Sequence, residues 1–247
     1  MRLSYLNLVL GLLLLLAVPG YLTYVYDRQL LRRAATALVR MAVQMGAVGG
    51  CLWLLYRYDG LWLSLVWVAV LVVAAALLLV SRTRLPARVL LLPACAAMFV
   101  SVVAVSAFVL CFVLRPAEPL SARWVVPVTG VLMAHVLTTG IHGVRTYFDC
   151  LRQDGQPYYT LLGNGASRLQ ALAPYITRAL RSLLVPAVGN IAATGLFVMP
   201  MLLSGLLIGG MGPVEAVLSF VVLMFAAVTA SVLSLLLTLW LVKEPLP

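Results

Sequence analysis

Lysine is almost missing from this chain: Lys243 is the only one in 247 residues, and it follows Val242, not glycine. A phosphate-binding loop of the form G-x-x-x-x-G-K-[ST] needs its lysine directly after a glycine. The chain therefore cannot hydrolyse ATP by that route, and a pump built on it needs a separate ATPase. Acidic residues are also few, seven in all, and none lies deep in an apolar run. Enzymes acting on lipid or isoprenoid phosphates need clustered carboxylates for magnesium. The nearest pair here, Asp149 and Asp154, is five residues apart without acidic companions. Four cysteines, Cys51, Cys95, Cys111 and Cys150, are scattered without a CxxC pair. That spacing supports neither a zinc site nor a disulfide framework, so they are read as small apolar residues. Internal repeats and low-complexity tails are absent as well, which sets aside solenoids and repeat arrays.

What fills the chain is hydrocarbon. Apolar residues make up 64% and charged ones 10%, and several runs reach the roughly 18 to 20 residues needed to cross a bilayer. Runs this continuous suit helices, not the alternating pattern of a barrel. The expected fold is all-α, a polytopic transmembrane helical bundle of about seven spans, at 3–25, 34–55, 61–80, 89–114, 125–144, 183–208 and 214–242. The first run has the look of a signal peptide, but it stays apolar and aromatic through Tyr21, Tyr24 and Tyr26, as a retained span with an interfacial belt would.

The net charge of +10 would point to nucleic acid in a soluble protein, but here the basic residues lie mostly between spans. One side collects Arg28, Arg32, Arg33, Arg40, Arg82, Arg84, Arg88, Arg145, Arg152, Arg168, Arg178, Arg181 and Lys243; the other has Arg2, Arg57, Arg115 and Arg123. The positive-inside rule puts the richer side in the cytoplasm, with the N-terminus outside and the C-terminus inside. The expectation is one multi-pass domain, 1–247, in the lipid bilayer of a cell membrane, with a cytoplasmic segment at 145–182 between spans five and six.

That segment carries the clearest local signals. Ser167-Arg168-Leu169-Gln170 has the form of a capping box and should start a helix at Ser167. Asp154-Gly155-Gln156-Pro157 has turn composition, so the fifth helix should stop near Gln153. Between them Tyr158, Tyr159, Leu161 and Leu162 make an apolar knuckle before Gly163 and Gly165, which something should cover. Small residues at Gly46 and Gly50, at Gly205 and Gly209, and at Gly189, Ala193 and Gly195 mark candidate close contacts between helices, within one chain or at a dimer seam.

Polar residues inside spans are costly, so they are informative. His135 sits near the middle of span five, with Thr138, Thr139 and His142 on the same helix face, which should point inward. A neutral imidazole there can ligate a metal or relay a proton along a translocation pathway, but a single histidine hydrogen-bonded to a neighbouring helix is commoner. In span six Asn190 and Thr194 share a face, Pro200 should kink the helix, and Met199 and Met201 flank it with thioethers that suit soft metals or packing. Hard iron or aluminium ions want carboxylates, and Glu215, at the outer end of span seven, reads as a helix-terminus residue. No metal-ligand set is assigned.

The ordered blocks Leu162-Gly163-Asn164-Gly165-Ala166-Ser167, Arg181-Ser182-Leu183-Leu184-Val185-Pro186, Gly195-Leu196-Phe197-Val198-Met199-Pro200 and Gly209-Gly210-Met211-Gly212-Pro213 resemble the FetB-type permeases. These are membrane subunits of ABC transporters linked to iron export in bacterial inner membranes, with plant relatives linked to aluminium tolerance. The resemblance implies a non-enzymatic permease, a homodimer that docks ABC-type ATPase subunits holding ATP and magnesium. It implies that Tyr158, Tyr159, Leu161, Leu162, Gly163, Gly165, Ser167, Arg168 and Arg181 couple to the ATPase. The family tends to have asparagine where this chain has His135, an acidic or amide residue at Gly189, and paired methionines at Leu202-Leu203. A lipid or isoprenoid enzyme and a non-transporting membrane scaffold are the competing readings.

Overall fold

Long apolar runs with few breakers leave the backbone one way to satisfy its own polar groups, and the chain takes it. The computed structural model describes residues 10, 11, 14, 17, 20, 21, 28–58, 60–116, 118–153, 155–197 and 201–242; among them there is no strand. The helices are α1 (Arg28–Tyr58), α2 (Leu61–Thr83), α3 (Ala87–Phe108), α4 (Ala122–Gln153), α5 (Gly155–Gly163), α6 (Arg168–Phe197), α7 (Met201–Ile208) and α8 (Pro213–Leu241). α3 runs on into a π-helical turn, Val109–Leu114, closed by Arg115 at φ 41° with its N–H on the Leu110 carbonyl. The chain divides into two compact units, 1–57 and 58–247. In the first, α1 stacks the Arg57 guanidinium over the Trp53 ring at 5.0 Å.

Five helical stretches are long and apolar enough to cross a membrane: Ala34–Tyr58, Trp62–Thr83, Ala87–Leu114, Ala122–Gln153 and Pro213–Leu241. Five of the seven expected spans are thus matched by a described helix. The run at 3–25 falls largely outside the described residues. The run at 183–208 is carried by two helices, the second half of α6 and the eight-residue α7, with 198–200 outside the described residues. Its first helix begins at Arg168 with Arg178 and Arg181 in its first half, so apolar and basic segments share one rod.

Within 58–247, α4 is the axle. It packs against α2, α3, α6 and α8, and α8 also packs on α3. The contact between α4 and α8 is close because one side lacks side chains. A Cβ on Gly143 would stand 2.9 Å from Leu235, which is itself fully buried, and one on Gly140 would stand 3.4 Å from Leu79. The facing stretch of α8 is small too, with Ala226, Ala227, Ala230, Ser231 and Ser234 buried. Such small-residue faces are how helices approach where lipid supplies no hydrophobic drive. A second, smaller cluster pins α7 to α8 through Leu203, Ala216 and Phe220.

Among the glycines expected to mark close contacts, Cβ atoms on Gly189 and Gly205 would meet nothing within 4 Å in the unit 58–247, and one on Gly209 would meet only its own helix backbone; the surroundings of Ala193 and Gly195 lie outside the described residues. Spacing alone identifies a smooth patch, but it does not say which patch finds a partner. Gly210 acts locally instead. At φ 91° it ends α7, with its N–H on Leu207 and that of Met211 on Leu206.

Gly143→Ala should therefore destabilise the purified protein by roughly 1–3 kcal/mol, the usual effect of overpacking a filled core. Gly189→Ala should leave the thermal unfolding midpoint within error or raise it, since helical alanine outranks glycine by about 1 kcal/mol.

Candidate functional site

The segment between the fifth and sixth expected spans is a helical hairpin. α4 does not stop at the end of its apolar run: it continues to Gln153, and Tyr147, Phe148 and Leu151 on this extension are buried. The residues expected to form a turn, 155–157, instead form the first turn of α5, which leaves Asp154, outside the described residues, as the sole connection. Proline is tolerated in a first turn because its missing N–H has no helical partner there, and Pro157 exploits this.

α5 ends in a Schellman-type reversal. The Gly165 N–H reaches the Leu162 carbonyl and the Ala166 N–H the Leu161 carbonyl, both at 3.0 Å, with Gly165 at φ 86°. Two residues on, the capping box forms as expected: the Ser167 N–H donates to Gln170 Oε1 at 2.9 Å and the Gln170 N–H to Ser167 Oγ at 3.4 Å. α6 then runs as one helix to Phe197, with Pro174 and Pro186 inside it.

The apolar knuckle splits into two sets. Tyr158 is 4% exposed and belongs to the same core as Tyr147, Phe148, Leu151, Ala171, Leu172 and Tyr175. Tyr159, whose ring meets that of Tyr158 edge-on at 5.2 Å, is 67% exposed, and Leu161, Leu162 and Leu169 are exposed beside it. Gly163, Gly165, Ser167, Arg168 and Arg181 are exposed too. Tyr158 thus anchors the hairpin to the bundle, while contact with any partner falls to Tyr159, Leu161 and Leu162.

The second set of polar residues lies on α4. His135 is half-buried, and its Nδ1 lies 3.0 Å from Oγ of the buried Ser231 on α8. Ser231 gives its one hydroxyl hydrogen to the Ala227 carbonyl at 2.8 Å. If the hydroxyl hydrogen stays on Ala227, Nδ1–H of His135 is the donor and Nε2 keeps a lone pair; the tautomer sets these roles. The threonines are turned to the backbone: Thr138 Oγ1 donates to the Ala134 and His135 carbonyls at 3.0 Å, and Thr139 Oγ1 to the His135 carbonyl at 2.7 Å.

The expectation that this face points inward is corrected. Thr138 and His142 are exposed and only His135 and Thr139 are half-buried, because α4 uses its other faces for α2, α3, α6 and α8. Below it Arg145 Nε pairs with Asp149 Oδ2 at 3.4 Å, both exposed. Among the described residues no three His, Cys, Asp or Glu side chains come together as a metal site.

Asn190 and Thr194 fall on α6 and Met201 opens α7, but these three side chains, together with all of Met199 and Pro200, lie outside the described residues. Glu215 sits in the first turn of α8, where a carboxylate suits the positive end of the helix. Two features escape a reading of the sequence: the His135–Ser231 partnership and the glycine pair at 140 and 143. The small-residue stripe of α8 is the available signal for both.

A helix bundle with five apolar helices long enough for a bilayer, and a polar, histidine-bearing face on its central helix, defines a multi-pass α-helical membrane protein. The chain belongs to the uncharacterised protein family UPF0014, which it matches over residues 5–246. It is 24% identical over 195 residues to the UPF0014 membrane protein slr1647 of Synechocystis, covering 79% of this chain and 75% of that one. Over 124 residues it is 32% identical to the UPF0014 membrane protein STAR2 of rice, 50% of this chain and 43% of the relative. Over 122 residues it is 28% identical to the protein ALUMINUM SENSITIVE 3 of Arabidopsis, 49% and 45% respectively. The matched segments thus span less than half of either plant relative. No solved structure matches the chain.

Two substitution sets test the geometry. Gly165→Ala should destabilise the hairpin by about 1–2 kcal/mol, the cost of a left-handed residue with a Cβ, and speed proteolysis at 155–166, whereas Gly163→Ala, in open space, should not. A double-mutant cycle of His135→Ala with Ser231→Ala should return a coupling near 0.6 kcal/mol, about the average for interhelical hydrogen bonds in membranes; zero coupling would remove the bond.

Proposed function

We propose that this chain is the membrane-spanning permease subunit of an ABC transporter, working as a homodimer on two separate ATPase subunits and exporting metal ions or a small solute. One observation carries the reading: the hairpin at 155–170 presents Tyr159, Leu161 and Leu162 to solvent while its other side, through Tyr158, belongs to the core of the bundle. An exposed apolar surface backed by a rigid attachment is what a force-receiving contact needs. The near-absence of lysine, which leaves no P-loop, assigns ATP and magnesium to the partner.

In this reading the approach of the two ATPases pushes α5, and the shared core passes the displacement to the end of α4 and the start of α6. α6 is one helix from its cap at Ser167 to Phe197, so the push enters the apolar layer without a joint in between, other than the bends that Pro174 and Pro186 allow. The cargo passes the face of α4 that holds His135, Thr138 and His142, with ring nitrogens and hydroxyls along it and the Arg145–Asp149 pair at its end. The positive-inside count supports a cytoplasmic hairpin and C-terminus. The resemblance to FetB-type permeases and a plant relative whose name refers to aluminium sensitivity support a metal as cargo.

Coexpression with a candidate ABC-type ATPase should yield a complex that survives purification. Leu161→Asp combined with Leu162→Asp should abolish it. Unchanged association of the double variant would remove the hairpin from the contact.

A further inference from the structure

Between α6 and α8, beside the extension of α4, the bundle has a half-open groove of about 500 Å3, inside the range of roughly 300–1,000 Å3 typical of small-molecule pockets. Its walls are aliphatic side chains of the two helices, among them Leu172, Leu233 and Leu236. Three residues of other character complete the lining: Tyr147 of α4, Arg168 at the first turn of α6 and Trp240 near the end of α8. The permease reading draws on Arg168 as a coupling residue and on Tyr147 and Leu172 as core, and leaves the groove itself without an occupant.

We propose that this groove binds one anionic phospholipid, its acyl chains laid between α6 and α8 and its phosphate held by Arg168. The lining divides as such a ligand does. A polar solute would gain nothing from aliphatic walls, whereas an acyl chain gains about 0.8 kcal/mol for each methylene it buries. The planar guanidinium offers five N–H donors in a fork that fits phosphate oxygens, so a neighbour within the chain does not exhaust it. Trp240 is exposed and stands near the end of α8, with the phenol of Tyr147 lining the same groove; amphipathic rings of this kind settle at the level of lipid headgroups.

The level is also the basic one. Arg145, paired with Asp149, and Arg152 are exposed on the same extension of α4 that carries Tyr147, and basic pockets between membrane helices at such a level select anionic headgroups. The inference rests on the chain being a membrane protein, not on its driving a transporter. It also places a lipid against Leu172, a member of the core that holds the hairpin.

The test uses the full chain, exchanged into nanodiscs made from equal parts of phosphatidylglycerol and phosphatidylcholine, then released and weighed by native mass spectrometry. The wild type should retain phosphatidylglycerol over phosphatidylcholine by roughly fivefold, the effect of one arginine near an anionic surface. Arg168→Gln should still carry a lipid but without preference, and Arg168→Lys should restore part of it. Leu236→Trp, which fills the groove, should lose the bound lipid altogether, so the two variants report on separate ends of the site; thermal unfolding midpoints check that each is folded. Equal retention of the two lipids by the wild type, or a preference that survives Arg168→Gln, overturns the proposal. Displacement of the lipid by inorganic phosphate alone would show a phosphate site instead, and capture of a polypeptide by a photocrosslinker at position 236 would show a docking groove for protein; either outcome also overturns it.

Discussion

One unbroken apolar core joins the membrane layer to the hairpin outside it, and everything else about this molecule depends on that continuity. Phe148, Leu151 and Tyr158 at one end belong to the same packed cluster as Val68, Met98 and Leu132 in the bundle. Close-packed interiors transmit displacement because they do not compress. A hairpin attached through a flexible tether could be gripped without moving anything; one rooted in the core cannot be moved alone.

The second constraint is polar economy. Buried Thr83, Thr129, Ser231 and Thr238 each return a hydrogen bond to a carbonyl four residues back on their own helix. That arrangement settles the cost of a hydroxyl in an apolar layer without asking for a partner across the bundle. Ser231 also meets His135, a bond that crosses from α4 to α8. The same economy makes the exposed face of α4 notable, since Thr138, His142 and the Arg145–Asp149 pair lie where lipid alone would serve them poorly. A second copy of the chain or a watered passage serves them better, which is why the transport reading and the geometry of α4 point the same way.

Much of this is legible in the amino acids alone. The apolar runs name the helices of four spans to within a few residues, and the end of α4 at Gln153 and the cap at Ser167 fall where turn and capping residues put them. The run at 183–208 falls on α6 and α7, and α6 starts at the Ser167 cap that the capping box marks. What spacing misses is which faces meet: it singles out Gly189 and Gly205, where an added Cβ would meet nothing within 4 Å, and passes over Gly143, whose importance comes from Leu235 on another helix. The knuckle reads as a single apolar feature, and only the roll of α5 about its axis divides Tyr158 from Tyr159.

The sequence by itself determined what is settled within a turn or two of helix: that this is an all-helical membrane chain, where a cap forms, and that no lysine stands ready for a nucleotide phosphate. Those outcomes follow from neighbours in the chain and from the solvent, both of which composition and spacing describe. Tertiary structure decided which faces meet. The bond from His135 to Ser231, the seat of Leu235 over Gly143 and the groove closed by Arg168 and Trp240 all join residues far apart in the chain. Contacts at that separation depend on how helices cross and roll, and no local pattern in a uniformly apolar sequence carries that information.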